Sequence, residues 1–168
     1  MAGEVAWGLP FVVFNLVIAV YDLRWRRVPN GWLVAGLAAQ AVWLLAVRLG
    51  WAGPGAGADG FAAAAAAFVL ALVFFFPLWK FRALGAGDVK YIATLGFLLG
   101  APTLIPVLLI GTLACGLHAL VVVMRSGWSQ ARAVWRPAPG AARRGIPYAA
   151  YLALAAIGWL AWLATGGA

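Results

Sequence analysis

The sequence predicts an all-α, polytopic membrane protein with six transmembrane helices. Hydrophobic residues make up 66% of the 168 residues and charged residues only 10%, whereas soluble domains hold roughly 45–50% and 25%. The mean hydropathy is +0.99, and a soluble fold of this size cannot bury so much apolar surface. The composition therefore excludes an aqueous globule, a disordered chain and a collagen-like chain.

Short loops separate the six predicted helices, because each span needs about 20 apolar residues. The predicted spans are 5–23, 31–49, 61–79, 89–100, 103–124 and 147–164. A helix over 89–100 rises only about 18 Å. This fourth helix either begins inside the membrane boundary or joins the fifth through a re-entrant turn at Pro102. We expect residues 1–168 to form one membrane-embedded domain.

The basic residues are segregated along the chain. Eleven of the twelve fall in or directly beside the three connections that follow the first, third and fifth spans, and the twelfth is Arg48. The positive-inside rule then places the N-terminus outside and these three connections in the cytoplasm. The net charge of +8 reflects this orientation rather than nucleic acid binding. The loop 125–145, with tryptophans among arginines, is typical of a segment on an anionic membrane surface or of a basic linker.

The chain holds one cysteine, Cys115, inside an apolar run. A single cysteine excludes an internal disulfide and a cysteine-based zinc site, and we expect no metal and no cofactor. Residues 1–4 lack a positive n-region and an obvious cleavage site, so we expect the first apolar stretch to be a retained span.

Two of the four acidic residues are candidates for chemistry. Asp22 lies in the last turn of the first span and Asp88 starts the fourth helix, so both are expected at the cytoplasmic boundary. An ionisable group at membrane depth is costly and is therefore a functional candidate. Two carboxyl groups that meet share one proton, so that one activates a water and the other donates to a substrate carbonyl.

The neighbours of the aspartates leave two interpretations open. Asp22 could pair with a nearby arginine, and Asp88 could cap its helix. Alternatively, the glycines of Gly85-Ala86-Gly87-Asp88 permit a tight turn and a close backbone approach, against which an extended peptide could lie.

Both aspartate motifs resemble those of the prepilin peptidases. The segment Asp22-Leu23-Arg24-Trp25-Arg26-Arg27-Val28-Pro29-Asn30 resembles the family's first aspartate motif, and Gly85-Ala86-Gly87-Asp88-Val89-Lys90 resembles its Gly-x-Gly-Asp motif. The entry to the last span, Gly145-Ile146-Pro147-Tyr148, is similar to the family's tail segment. It departs from that pattern at Ala149-Ala150, where the family often has Gly-Pro.

The resemblance implies a membrane aspartic endopeptidase with a Gly-x-Gly-Asp fold of six helices. Such enzymes remove the short basic leader from type IV pilins and related precursors at the cytoplasmic face of the inner membrane. Asp22 and Asp88 match the catalytic pair. The expected partners are prepilin-like substrates and anionic lipids of the cytoplasmic face, and the oligomeric state stays open. The chain resembles the short, peptidase-only form, without the cytoplasmic region that carries paired cysteines.

Five residues beside the pair receive secondary roles. We expect Gly85 and Gly87 to shape the turn, and Pro29-Asn30 to begin the second helix rather than contact substrate. Lys90 either orients the loop or meets lipid phosphates.

The helix dipoles favour Asp88 as the base and Asp22 as the acid. A helix N-terminus stabilises a charged carboxylate, whereas a C-terminus favours the neutral form. The arginines near Asp22 argue for the opposite assignment, and a coupled pair titrates jointly.

A small transporter or channel is the alternative, with the same aspartates in a proton or cation path. Such a protein more often keeps its carboxylates near the midplane, so their position at one face favours the protease. Other polar residues inside the spans are expected to form interhelical hydrogen bonds (Asn15, Gln40, Thr112) or to pack (Cys115, His118).

Overall fold

The residues that the structure describes fold into five α-helices around an apolar core. The computed structural model describes residues 2–55, 57, 59–135 and 146–166, with side chains except in 2–5 and 126–135. The helices are α1 (Ala2–Trp25), α2 (Asn30–Arg48), α3 (Phe61–Lys80), α4 (Ala86–Trp135) and α5 (Tyr148–Ala164). Within these ranges no residue lies in a strand.

Four of these helices contain a segment long and apolar enough to cross a membrane. The segments are 6–25, 30–48, 61–80 and 86–125, and α5 is apolar but shorter. The chain is therefore a multi-pass membrane protein, as its composition predicts.

The structure has one helical run, α4, where the sequence predicts two helices. The predicted helices 89–100 and 103–124 form one run of helical residues, and this run extends to Trp135, into the predicted loop 125–145. The rest of that loop, 136–145, lies outside the described residues. Pro102 and Pro106 lie inside α4. The sequence predicts a turn at Pro102, but proline is also tolerated in the first turn of a new helical segment.

The helix α4 nevertheless changes direction at Gly100. The φ angle of Gly100 is 74°, in the left-handed region that only glycine adopts readily and that interrupts the course of a helix. A Cβ built on Gly96 would lie 3.4 Å from Leu104 Cδ2. Eight residues of straight helix would separate these two positions by about 12 Å, so the chain must turn back between them.

The end of the reversed segment meets its beginning. Cys115 lies close enough to Asp88, in the first turn of the same helix, for the two side chains to interact electrostatically. In a straight helix they would be about 40 Å apart. The two halves of α4, 86–99 and 101–135, therefore run antiparallel, in agreement with the predicted alternative in which a turn joins them.

Gln40 of α2 completes the hydrogen bonding at this reversal. Pro102 has no N–H to donate to the carbonyl of Leu98, as a continuous helix would require. The Gln40 Nε2 donates to that carbonyl at 3.3 Å, and the Gln40 Oε1 accepts from Trp7 Nε1 at 2.7 Å. One buried side chain thus links α1, α2 and α4.

Hydrogen bonds between helices also confirm the interhelical role predicted for the other two polar residues. The Tyr91 hydroxyl on α4 bonds to Asn15 Oδ1 on α1. Thr112 on the second half of α4 bonds to the Tyr148 hydroxyl on α5 at 2.9 Å.

Small residues let α3 approach α4 closely. Ala64, Ala67 and Ala71 are the buried residues of α3. A Cβ on Gly96 would lie only 2.9 Å from the carbonyl oxygen of Ala67, so any larger residue there would separate the helices. The alanine run thus acts as small residues do at membrane helix interfaces.

The connections gather at two ends of the bundle. At one end, which we call the aspartate end, the α1–α2 loop meets the start of α4, because a Cβ on Gly87 would lie 3.3 Å from Val28 Cβ. At the other end, the α2–α3 loop covers α1, since a Cβ on Gly55 would lie 2.7 Å from Trp7.

Replacing Gln40 with leucine should destabilise the bundle. The substitution leaves the Trp7 N–H and the Leu98 carbonyl buried without a partner, at a cost of roughly 1–3 kcal/mol for each group. We expect a lower midpoint of thermal unfolding in detergent for Gln40→Leu. The control is Ala38→Leu on the exposed face of α2, and equal midpoints for the two variants would contradict the role of Gln40.

Candidate active site

Asp22 is buried at the aspartate end, where the last turn of α1 meets the start of α5. Its side chain is only 6% exposed. The backbone N–H of Ala150 donates to Asp22 Oδ2 at 3.0 Å, and the N–H of Ala149 faces the same carboxyl group. These amides belong to the first turn of α5, where backbone N–H groups have no partner within the helix.

Asp88 lies in the first turn of α4 and is half-buried. The backbone N–H of Gly85, the residue before the helix, faces its carboxyl group. An acidic side chain at the third helical position commonly reaches back in this way. The geometry is therefore compatible with a capping role for Asp88, but Asp88 also lies near Asp22.

The two carboxyl groups come together although they are remote in the sequence. Asp22 and Asp88 lie close enough for their charges to interact, and Arg26 also lies within electrostatic range of Asp22. The structure thus brings the predicted pair to one end of the bundle, with a backbone N–H facing each carboxyl group.

Both glycines of the Gly-x-Gly-Asp segment occupy positions where a side chain would be crowded. A Cβ on Gly85 would lie 2.7 Å from Asp88 Oδ2, and a Cβ on Gly87 would lie 3.3 Å from Val28 Cβ. Gly85 therefore leaves room for the carboxyl group itself, whereas Gly87 lets α4 start against the α1–α2 loop.

Three further predicted residues lie beside this turn. Pro29 precedes α2 as its N-cap and Asn30 is its first residue, which confirms their predicted place at the start of that helix. Lys90 Nζ donates to Asn30 Oδ1 at 3.3 Å. Lys90 therefore joins the first turns of α4 and α2, in agreement with the loop-orienting alternative.

Sequence reasoning missed the polar residues that line the other side of the pair. Cys115 lies within electrostatic range of both Asp22 and Asp88, and the Tyr148 hydroxyl lies within range of Asp88. The missed signal was the three-residue spacing of Thr112, Cys115 and His118, which places them on one face of a helix.

The arrangement suits acid–base chemistry on an amide bond. Two neighbouring carboxyl groups can hold one proton between them and offer both a base and an acid. Among the residues that the structure describes, no three His, Cys, Asp or Glu side chains gather as metal ligands. A cavity of about 820 Å³ lies at the opposite end, beside Trp7 and Arg48, and is remote from Asp22 and Asp88.

Comparison with known proteins agrees with these observations. No curated protein and no solved structure is significantly similar to the chain. The family model of the type IV leader peptidase family matches residues 9–120. This match spans α1 to the second half of α4 and includes both aspartates. The chain therefore belongs to the type IV leader peptidase family.

Proposed function

We propose that the chain is a membrane aspartic endopeptidase that removes the short basic leader from type IV pilin-like precursors. Membership of the leader peptidase family supports this activity in general. The observation that carries the aspartic mechanism is the meeting of Asp22 and Asp88 at one end of an otherwise apolar bundle.

In the proposed mechanism, a water is held between the two carboxyl groups. The ionised aspartate takes a proton from the water, whose oxygen attacks the carbonyl carbon of the scissile bond. The protonated aspartate gives its proton to the carbonyl oxygen. The tetrahedral intermediate then collapses: the C–N bond breaks, the leaving amine takes up the proton that the base had accepted, and one hydroxyl of the intermediate returns a proton to the aspartate that had acted as the acid.

We assign the base to Asp22 and the acid to Asp88. The dipole of α1 alone favours the opposite assignment, but the start of α5 adds an interaction that the sequence does not reveal. The hydrogen bond from Ala150 N–H and the positive charge of Arg26 both stabilise the ionised form of Asp22. With Asp22 ionised, the neighbouring Asp88 retains the shared proton.

We further propose that both halves of α4 cross the membrane, so that the chain makes six crossings. Alternate connections then lie on opposite sides, and the excess of arginine and lysine at the aspartate end places that end in the cytoplasm. The site would face the cytoplasmic side of the inner membrane, within a single peptidase domain. Arg24, Arg27 and Arg82 would meet anionic lipids there.

The site geometry does not favour the transporter alternative. A proton or cation path would keep its carboxylates near the middle of the bundle. Asp22 lies in the last turn of α1 and Asp88 in the first turn of α4, so both lie at one end.

Either aspartate should be required for processing. We expect Asp22→Ala and Asp88→Ala each to lower leader removal by roughly 10²- to 10⁴-fold, because each removes one partner of the acid–base pair. The measurement is a gel-shift assay with a co-expressed precursor that carries a basic leader. Asp59→Ala, in the loop at the opposite end, is the matched control and should process fully. Full processing by either of the first two variants would refute the mechanism.

Substitutions at the two glycines should impair catalysis through the position of Asp88. Gly85→Ala pushes against the carboxyl group and Gly87→Val pushes α4 away from Val28, and a misplacement of about 1 Å can cost about 100-fold in rate. Gly116→Ala is the control, because nothing lies within 4 Å of a Cβ at that position. Initial rates of leader removal by the three purified variants test this, and equal rates would show that the turn does not position Asp88.

A further inference from the structure

We propose that a polar strip beside the aspartate pair holds the backbone of the substrate next to the scissile bond. The polar strip consists of Thr112, Cys115 and His118 on the second half of α4 and of Tyr148 and Tyr151 on α5. This inference rests on the proposed function and adds to it the surface along which the peptide lies.

The polar strip occupies one face of α4. Thr112, Cys115 and His118 follow one another at three-residue intervals, so their side chains spread over about 120° on one side of the helix. The neighbouring exposed positions are apolar, since Leu113 and Leu117 are 71% and 63% exposed. Between positions 112 and 118, the polar side chains therefore lie on the side of α4 that faces α5.

The strip adjoins the two carboxyl groups. Cys115, at its centre, lies within electrostatic range of both Asp22 and Asp88. Tyr148 lies within range of Asp88 and directly precedes the amides of α5 that face Asp22. A peptide bond placed between the carboxyl groups would thus have this surface beside it.

Within the part of the chain that the structure describes, the hydrogen bonds of the strip leave donors free. Thr112 and the Tyr148 hydroxyl share one hydrogen bond, so one of their two O–H groups remains available. His118 Nδ1 and the Tyr151 hydroxyl form a second pair. Whichever of these two groups donates to the other, either the Tyr151 O–H or the His118 Nε2–H remains available.

The residues that carry these free donors are accessible from outside the bundle, so a ligand can reach the donors. Thr112 is exposed, and the other four residues are half-buried. Hydrogen-bonding groups that face lipid have no water to satisfy them, so such groups in apolar helices mark interaction or substrate sites. The carbonyl oxygens of an extended peptide are suitable acceptors.

The dimensions fit a short extended segment. Thr112 and His118 are separated by about 9 Å along the helix axis, which corresponds to roughly three residues of extended chain. The strip would therefore contact the residues on either side of the cleaved bond, while the apolar segment of the substrate continues along the bundle.

The single cysteine of the chain provides a direct test. A co-expressed precursor, with one cysteine moved through the positions around its leader junction, is oxidised in membranes that contain the Asp88→Asn variant. We expect disulfide formation with Cys115 to peak at one or two substrate positions beside the junction, and to disappear in the Cys115→Ser variant.

The matched control places the cysteine on the opposite face of the same helix. In the Cys115→Ser background, Leu117→Cys is more exposed than Cys115, so random collision would favour it. We expect little cross-linking from Leu117→Cys. Equal cross-linking from both positions, or a uniform pattern along the substrate, would overturn the proposal.

A kinetic measurement separates peptide binding from a purely structural role. Tyr148→Phe removes one hydroxyl and should lower kcat/KM about fivefold, as expected for one lost hydrogen bond, mainly through a higher KM. The unfolding midpoint should fall only slightly, because the hydroxyl of the exposed Thr112 is the group that loses its partner. A lower midpoint with an unchanged KM would assign the strip to helix packing and overturn the inference.

The cross-linking test of the strip can be separated from the processing test of the proposed function. If the wild type processes the precursor and both aspartate variants do not, the proposed function stands whatever Cys115 shows. If the wild type fails to process it, the proposed function and this inference both fall.

Discussion

The structure depends on the accommodation of two acidic side chains at one end of an apolar bundle. A carboxylate withdrawn from water needs hydrogen bonds, an opposite charge or a proton. Asp22 receives the first from the start of α5 and the second from Arg26, whereas Asp88 lies in the field of Asp22. The end of α1 and the starts of α4 and α5 must therefore converge, and this convergence defines the candidate site.

The opposite end of the bundle provides the rigidity that this convergence requires. Gln40 joins Trp7 to the carbonyl that Pro102 leaves without a donor, and so fixes the reversal of α4 against α1 and α2. The reversal in turn returns the second half of α4 to the aspartate end, where Cys115 and Thr112 lie beside the pair. Polar groups inside the bundle thus fix particular contacts between helices, in addition to the packing of small and apolar residues.

The sequence alone predicts the membrane-embedded helical class, the pairing of the aspartates and the secondary place of Pro29 and Asn30. These features depend on signals in the sequence itself: the length of apolar runs, the segregation of charge, and the position of short motifs at predicted helix ends. The match of the leader peptidase family over residues 9–120 includes the residues on which the motif argument relied.

Non-local features could not be predicted. The pattern at Pro102 is the same for a loop between two helices and for a helical run that reverses at Gly100, because only the φ angle distinguishes them. The donation from Ala150 to Asp22 is made by a backbone amide, which carries no signature in its side chain. Thr112 and His118 were expected to bond to other helices or to pack, and only the positions of the aspartates indicate what else they adjoin.

The most direct measurement of the central claim is the distance between the two acidic positions in the membrane. In the Cys115→Ser background, a chain with Asp22→Cys and Asp88→Cys is treated with a short bifunctional thiol reagent, beside a control that pairs Asp22→Cys with Asp59→Cys. We expect an intramolecular cross-link in the first chain and none in the control. Two cysteines that each react singly, without a cross-link between positions 22 and 88, would contradict the account.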